Sequence, residues 1–295
     1  MAGQAGQAGQ DGRVPGARDV GGVRVPALLY GTAWKEEETR RLVRLALEAG
    51  FRGIDTANQR KHYHEAAVGQ ALADAFADGR VRRDELFVQT KFTHVGGQDH
   101  RLPYDPTAPV PAQVRASCAS SLEHLGLDVL DAYVLHGPSA RVGLAEADLA
   151  AWTTMEALQR EGRVRLLGVS NVTRAQLEAL CAHAAAPPAF VQNRCYARTG
   201  WDRAVRDLCR ERGMIYQAFS LLTANRRELE GPVVRDVAAR ARLTPAQVVF
   251  LFAVQVGMLP LTGTTSPVHM REDLAALDHA ALDPEDVRRL ERVSG

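Results

Sequence analysis

The stretch Gly50-Phe51-Arg52-Gly53-Ile54-Asp55-Thr56-Ala57 packs a helix stop, a short strand-like run and an acid at the end of that run into one segment. Upstream of it, Leu42, Val43, Leu45, Ala46 and Ala49 follow the i, i+3, i+4, i+7 spacing of an amphipathic helix. Gly50 then supplies the left-handed residue on which such helices end. The same unit recurs along the chain. Strand-like runs occupy Ala27 to Trp34, Phe51 to Ala57, Leu86 to Phe92, Val129 to His136, Val164 to Asn171, Phe190 to Tyr196, Met214 to Ser220 and Met258 to Thr265. Gly162 precedes the fifth run and Gly213 the seventh, again as helix stops. Eight runs alternating with helical patterns predict a closed parallel (β/α)8 barrel. The competing open sheet calls for a GxGxxG turn after its first strand, and Tyr30-Gly31-Thr32-Ala33-Trp34 has none.

A chain of 295 residues suits one barrel domain with one core, expected over residues 22–295. Residues 1–21, which open with AGQ three times, are too small and polar to bury surface and are expected to be a disordered tail. Net charge is +1, from 36 basic and 35 acidic residues without a basic block, so nucleic acid is not an expected partner. Cys118, Cys181, Cys195 and Cys209 stand apart with no CxxC spacing, so reduced buried thiols and no metal are expected. No apolar stretch approaches ~18 residues and no signal layout opens the chain, which predicts a cytoplasmic protein without a membrane partner. No helix pattern carries an apolar stripe clearly in excess, which leaves the oligomeric state hidden in the sequence; a monomer or weak oligomer is the expectation. Two segments break the alternation. Thr93 to Val110 is long, rich in Gly, Pro and Asp, and follows the third run directly. The last is a helix from Pro284 to Val293, capped by Asp283, with little chain after it to fold over the barrel mouth.

Active sites of such barrels gather at the C-terminal ends of the strands. Asp55, Lys91 and His136 each close a run, and Tyr63 follows Asp55 closely. Each has a plain explanation alone: a capping Asp, a solvated Lys, a satisfied His. Together they form a proton-donating reduction site. A phenol with a pKa near ~10 is a poor acid at neutral pH unless a cation lowers it, and Lys91 can supply that cation. Asp55 then pairs with Lys91, His136 orients a carbonyl oxygen, and a cofactor has to bring the hydride.

The segment from Gly50 to Ala57, followed by Tyr63 and Glu65-Ala66-Ala67-Val68-Gly69, resembles the first signature of the aldo-keto reductases. Leu86 to Lys91, Asp131 to His136 with Gly137-Pro138, and Gly162 to Asn171 are similar to later ones, and the likeness runs from about Val25 to the C-terminus. The resemblance implies a TIM barrel, the tetrad of Asp55, Tyr63, Lys91 and His136, and a nicotinamide dinucleotide, NADP(H) by default or NAD(H). It further implies cofactor contacts at Thr32, Ser170, Asn171, Asn193 or its neighbour Gln192, Phe219, Ser220, Leu222, Gly263, Thr264, Thr265, His269, Arg271, Glu272 and Asp273. Phe219 takes the place of the ring that stacks on nicotinamide. Ser170-Asn171 equally suits a cap for the helix beginning near Thr173.

Three departures from that pattern stand out. The segment Asn58 to Tyr63 carries two extra residues, which puts His62 at the usual tyrosine position and Tyr63 one step later, so His62 is an alternative acid. Gly263 and His269 replace a Lys and an Arg around the adenosine 2′-phosphate, leaving Arg271 to compensate. The loop Thr223 to Gly231 is short. Trp34, Phe92 and Tyr104 are expected to wall a shallow pocket for a small carbonyl substrate, although Trp34 equally suits barrel packing. The expected function is reduction of an aldehyde or ketone to an alcohol. A nicotinamide-binding sensor and a tailoring enzyme acting on a conjugated double bond are the alternatives.

Overall fold

The computed structural model describes residues 16–294. A hairpin of β1 (Arg18–Val20) and β2 (Val23–Val25) precedes eight parallel strands: β3 (Leu29–Gly31), β4 (Gly53–Asp55), β5 (Phe87–Phe92), β6 (Leu130–Leu135), β7 (Val164–Ser170), β8 (Phe190–Arg194), β9 (Ile215–Phe219) and β10 (Leu259–Thr262). The eight close into a barrel in the order β10-β3-β4-β5-β6-β7-β8-β9. Every barrel strand lies within one of the eight apolar runs. Helices α1 (Thr39–Ala49), α2 (Glu65–Ala77), α3 (Val110–Leu125), α4 (Glu146–Arg160), α5 (Arg174–His183) and α6 (Arg203–Arg212) each lead to the next strand. Then α7 (Arg226–Leu229), α8 (Pro232–Ala241) and α9 (Pro245–Gln255) lie between β9 and β10, and α10 (Pro267–Ala275) and α11 (Pro284–Glu291) complete the chain. No single helix among the described residues is long and apolar enough to cross a membrane.

The helix stops behave as their sequence demands, with Gly50, Gly162 and Gly213 at φ of 114°, 74° and 71°. Thr173 caps α5 through its own hydroxyl, which accepts from the Gln176 amide, so Ser170 and Asn171 are left out of that cap. Asp283 caps α11 by accepting from the amide of Glu285 at 2.7 Å. Gly69 has a different task. A Cβ there would stand 1.9 Å from the His124 carbonyl oxygen, so a side chain at 69 is incompatible with the packing of α2 on α3.

The tail expected over residues 1–21 is ordered in part. Residues 1–15 lie outside the described residues, but Arg18–Val20 pairs antiparallel with Val23–Val25 through a Gly21-Gly22 turn with both φ values positive. Val23 and Val25 then plug the barrel floor against Leu29, Phe87, Phe190, Leu259 and Leu261. Two buried valines give this hairpin what the polar AGQ repeats lack, an apolar face to bury. All four cysteines are free, and Cys118, Cys195 and Cys209 are buried.

Candidate active site

Side chains on a strand alternate between faces. On β5 this alternation sends Phe87, Gln89 and Lys91 into the barrel and Val88, Thr90 and Phe92 toward the helices. On β8 it sends Phe190 and Gln192 inward, and on β9 Ile215, Gln217 and Phe219. The interior therefore changes from apolar at the floor to amide-lined in the middle and charged at the mouth. Gln89 and Gln217 exchange two amide hydrogen bonds of 2.8 Å each. Gln192 donates to Gln217 Oε1 at 2.8 Å and to Asp55 Oδ1 at 3.0 Å, and Gln89 donates to the same Asp55 oxygen at 2.6 Å. Three buried amides satisfy one another and still hold the carboxylate from below.

Lys91 is fully buried and donates to both Asp55 oxygens at 2.7 Å and to the Thr56 carbonyl at 2.8 Å. An ammonium has three protons, and these three acceptors take them all. Its Nζ stands 5.2 Å from the centroid of the Tyr63 ring, with no hydrogen bond to the phenol among the described residues. No Lys91 proton is thus left to bond the phenol directly. Burial pushes Tyr63 up, and the Asp55 carboxylate adds to it. Burial likewise pushes Lys91 down, against the attraction of Asp55. Desolvation outweighs the cation because Asp55 already neutralises Lys91.

His136 follows β6 directly, and its ring meets Tyr63 edge to face at 5.9 Å between centroids. Its amide donates to the Phe92 carbonyl at 2.8 Å, and its Nδ1 lies 2.7 Å from the Thr93 hydroxyl. Burial, then Lys91 and His62, push its pKa down to about 3, so the ring is neutral at ordinary pH. The two extra residues are absorbed by a turn in which the amides of His62 and Tyr63 both donate to the Gln59 carbonyl. That turn aims Tyr63 between Lys91 and His136. His62 instead stacks on Trp34 at the rim, with ring centroids 4.0 Å apart.

The remaining residues divide. Trp34 is 67% exposed and available as a pocket wall, not barrel packing. Phe92 and Tyr104 are buried and do not wall an open pocket, because Phe92 is on the outward side of β5. The Tyr104 hydroxyl instead donates to the Thr93 carbonyl at 2.5 Å and pins the long loop beneath it. Of the pair Asn193 and Gln192, the structure turns Asn193 away from the barrel interior. One residue beyond inward-facing Gln192, it faces outward and bonds Val172 and Asp202, which ties β8 to the chain before α5. Thr32 and Ser170 donate to the backbone of Asp55 and Gln192. Asn171 donates to the His136 carbonyl at 2.8 Å, leaving its Oδ1 unpartnered among the described residues. Trp34, Asn171 and Ser220 all sit at positive φ, of 62°, 55° and 58°, at the mouth of the barrel. Strained non-glycine backbone of this kind collects at functional sites.

Beyond β9 and β10 a cavity of about 570 Å³ is lined by Leu222, Arg226, Arg235, Thr264, His269, Glu272 and Asp273 among others. Thr265 is exposed beside it. Arg271 does not line it, since 269, 272 and 273 share one face of α10 and 271 projects from another. The cations it holds are Arg226 and Arg235, neither of which has an ion-pair partner among the described residues, and the sequence reading passed over both. Glu230 and Glu272 are the facing carboxylates, while burial pushes Asp273 up to about 6. Lys35 is also new. Its buried ammonium donates to the Gly263 carbonyl, and a Cβ at Gly263 would lie 3.6 Å from it. The donor set of two guanidiniums, His269 and the Thr264 hydroxyl fits a phosphate-bearing ligand.

The fold and this arrangement define a barrel protein with a candidate site at the C-terminal ends of its strands, and comparison gives the family. The family model "Aldo/keto reductase family" matches residues 26–294. The chain is 32% identical to "Aldo-keto reductase" of Mycobacterium avium over 91% of its own length and 86% of that protein's. It is 28% identical to "Uncharacterized oxidoreductase YtbE" of Bacillus subtilis, over 92% and 90%. Among solved structures, an aldo/keto reductase from Brucella melitensis superposes with a TM-score of 0.80 at 24% identity, covering 95% of this chain and 99% of that one. An aldo-keto reductase complexed with NADPH gives 0.81 at 24% identity, over 96% and 88%. The chain belongs to the aldo/keto reductase family.

Proposed function

We propose that this protein reduces a small aldehyde or ketone to an alcohol with NADP(H). The observation that carries the reading is the buried Lys91–Asp55 pair, set directly beneath Tyr63 and beside His136 at the barrel mouth. A bound nicotinamide dinucleotide supplies the hydride, which no side chain can give. Phe219, Ser220, Leu222, Asn171 and Gln192 Oε1 are the groups offered to its nicotinamide end, and Thr264, His269, Arg226 and Arg235 those offered to its phosphates. Neutral His136 holds the carbonyl oxygen through its free ring nitrogen. Tyr63 keeps its proton at neutral pH and gives it to the oxygen as an alkoxide forms there. That transfer stays downhill for a raised phenol, because an alkoxide is the stronger base. Lys91 orients the phenol ring and favours negative charge developing above it.

The test is NADPH oxidation with 4-nitrobenzaldehyde by wild type and Lys91→Met. In the variant the Gln89 and Gln192 amides still hold Asp55, and its circular dichroism spectrum is compared with wild type to establish that the barrel folds. Turnover is expected to fall ~10²-fold or more, the scale of a general-acid contribution, with the NADPH dissociation constant changed less than about threefold. Wild-type turnover by Lys91→Met removes this reading.

A further inference from the structure

Thr93 is buried at the end of β5, and its hydroxyl lies 2.7 Å from His136 Nδ1. The register that pairs Phe92 with Leu135 sets residues 93 and 136 side by side, and the His136 amide bonded to the Phe92 carbonyl fixes their spacing. The Thr93 carbonyl is held in turn by the Tyr104 hydroxyl and Gln98 Nε2. A hydroxyl has one proton and two lone pairs. Among the described residues the Thr93 hydroxyl has no hydrogen-bond partner other than His136 Nδ1. If Nδ1 carried the ring proton, it would donate to Thr93, and the hydroxyl proton would be left without an acceptor in a buried site. If Nδ1 is bare, the hydroxyl donates to it and both groups are satisfied.

We propose that Thr93 is a positioning residue that donates to His136 Nδ1 and thereby keeps the imidazole proton on Nε2, the nitrogen free to donate to a substrate carbonyl oxygen. The kinetic half of this inference rests on the carbonyl-reducing reading; the tautomer half does not. Neutral imidazole carries one N–H, so the partner of one nitrogen decides the role of the other. With the proton on Nε2, His136 is a hydrogen-bond donor to the carbonyl. With the proton on Nδ1 it offers a lone pair to a lone pair.

The experiment is long-range ¹H–¹⁵N NMR on the full chain with ¹⁵N-labelled histidine, for wild type, Thr93→Val and Thr93→Ser, with His136→Asn used only to identify the signal. Wild type and Thr93→Ser are expected to show the Nε2–H tautomer, and Thr93→Val a substantial Nδ1–H population. In parallel, KM for 4-nitrobenzaldehyde should rise and kcat/KM fall about tenfold in Thr93→Val, the size of one lost hydrogen bond, and recover in Thr93→Ser. An Nδ1–H tautomer in the wild type overturns the proposal even if Thr93→Val fails to fold. So does an unchanged Nε2–H tautomer in folded Thr93→Val. A wild type with the Nε2–H tautomer and no carbonyl turnover supports the role of Thr93 and overturns only the reaction assigned to the site.

Discussion

At the scale of single residues, the proposal of Tyr63 as proton donor rests on where a two-residue bulge returns the chain. Tyr63 lies within reach of both Lys91 and His136, while His62 is spent on Trp34 at the rim. Burial, then Lys61, lower the His62 pKa, so at neutral pH it is an uncharged imidazole. Tyr63→Phe is therefore expected to lower kcat for 4-nitrobenzaldehyde ~10²-fold or more, and His62→Gln by less than about threefold. The reverse ranking in the same assay places the acid at His62. Sequence alone left both open, since the spacing from Glu65 favoured His62 and the chemistry favoured Tyr63. What the Lys91 ammonium bonds is a further point no sequence could give. Its three donors meet Asp55 and Thr56, and only coordinates show that none is left for the phenol.

At the scale of elements, period-two alternation already held more of the site than was taken from it. Phe87-x-Gln89-x-Lys91, Phe190-x-Gln192 and Ile215-x-Gln217-x-Phe219 share one inward pattern, and it foretells an amide layer beneath the charged one. The same alternation turns Phe92 and Asn193 outward. Helix periodicity sets Arg271 apart from His269 in the same way. Arg226 and Arg235 were harder to find, because α7 and α8 approach α10 only in the folded chain. Their place beside His269 carries a prediction. Arg226→Ala and Arg235→Ala should each weaken NADPH about tenfold, or ~1.4 kcal/mol, and leave NADH within about twofold. Fluorescence quenching titrations measure both constants. Equal losses for the two dinucleotides would mean that neither guanidinium meets the 2′-phosphate.

For the whole molecule, the cost of building a neutral histidine into the mouth should appear in stability against pH. His136 titrates near ~6.5 when unfolded and at about 3 when folded, so between those values the unfolded chain binds the extra proton. Stability from this group is constant above pH ~6.5 and falls as pH drops toward 3, by up to ~1.4 kcal/mol per unit, less for a site partly open to solvent. Thermal unfolding midpoints measured from pH 7.5 to 4.5 should thus decline less steeply in His136→Asn than in wild type. Parallel curves would show that His136 protonates equally in both states. The sequence by itself determined the barrel and set Asp55, Lys91 and His136 at strand ends with Tyr63 and His62 both near them, because strand–helix alternation and chemistry at strand ends are properties of local spacing. The tertiary structure alone decided which way Tyr63 and His62 face, what the Lys91 ammonium touches, and which cations line the cavity beyond β10. Those depend on contacts between residues far apart in the chain, such as Thr93 with His136 or Lys35 with Gly263, and local spacing does not encode them.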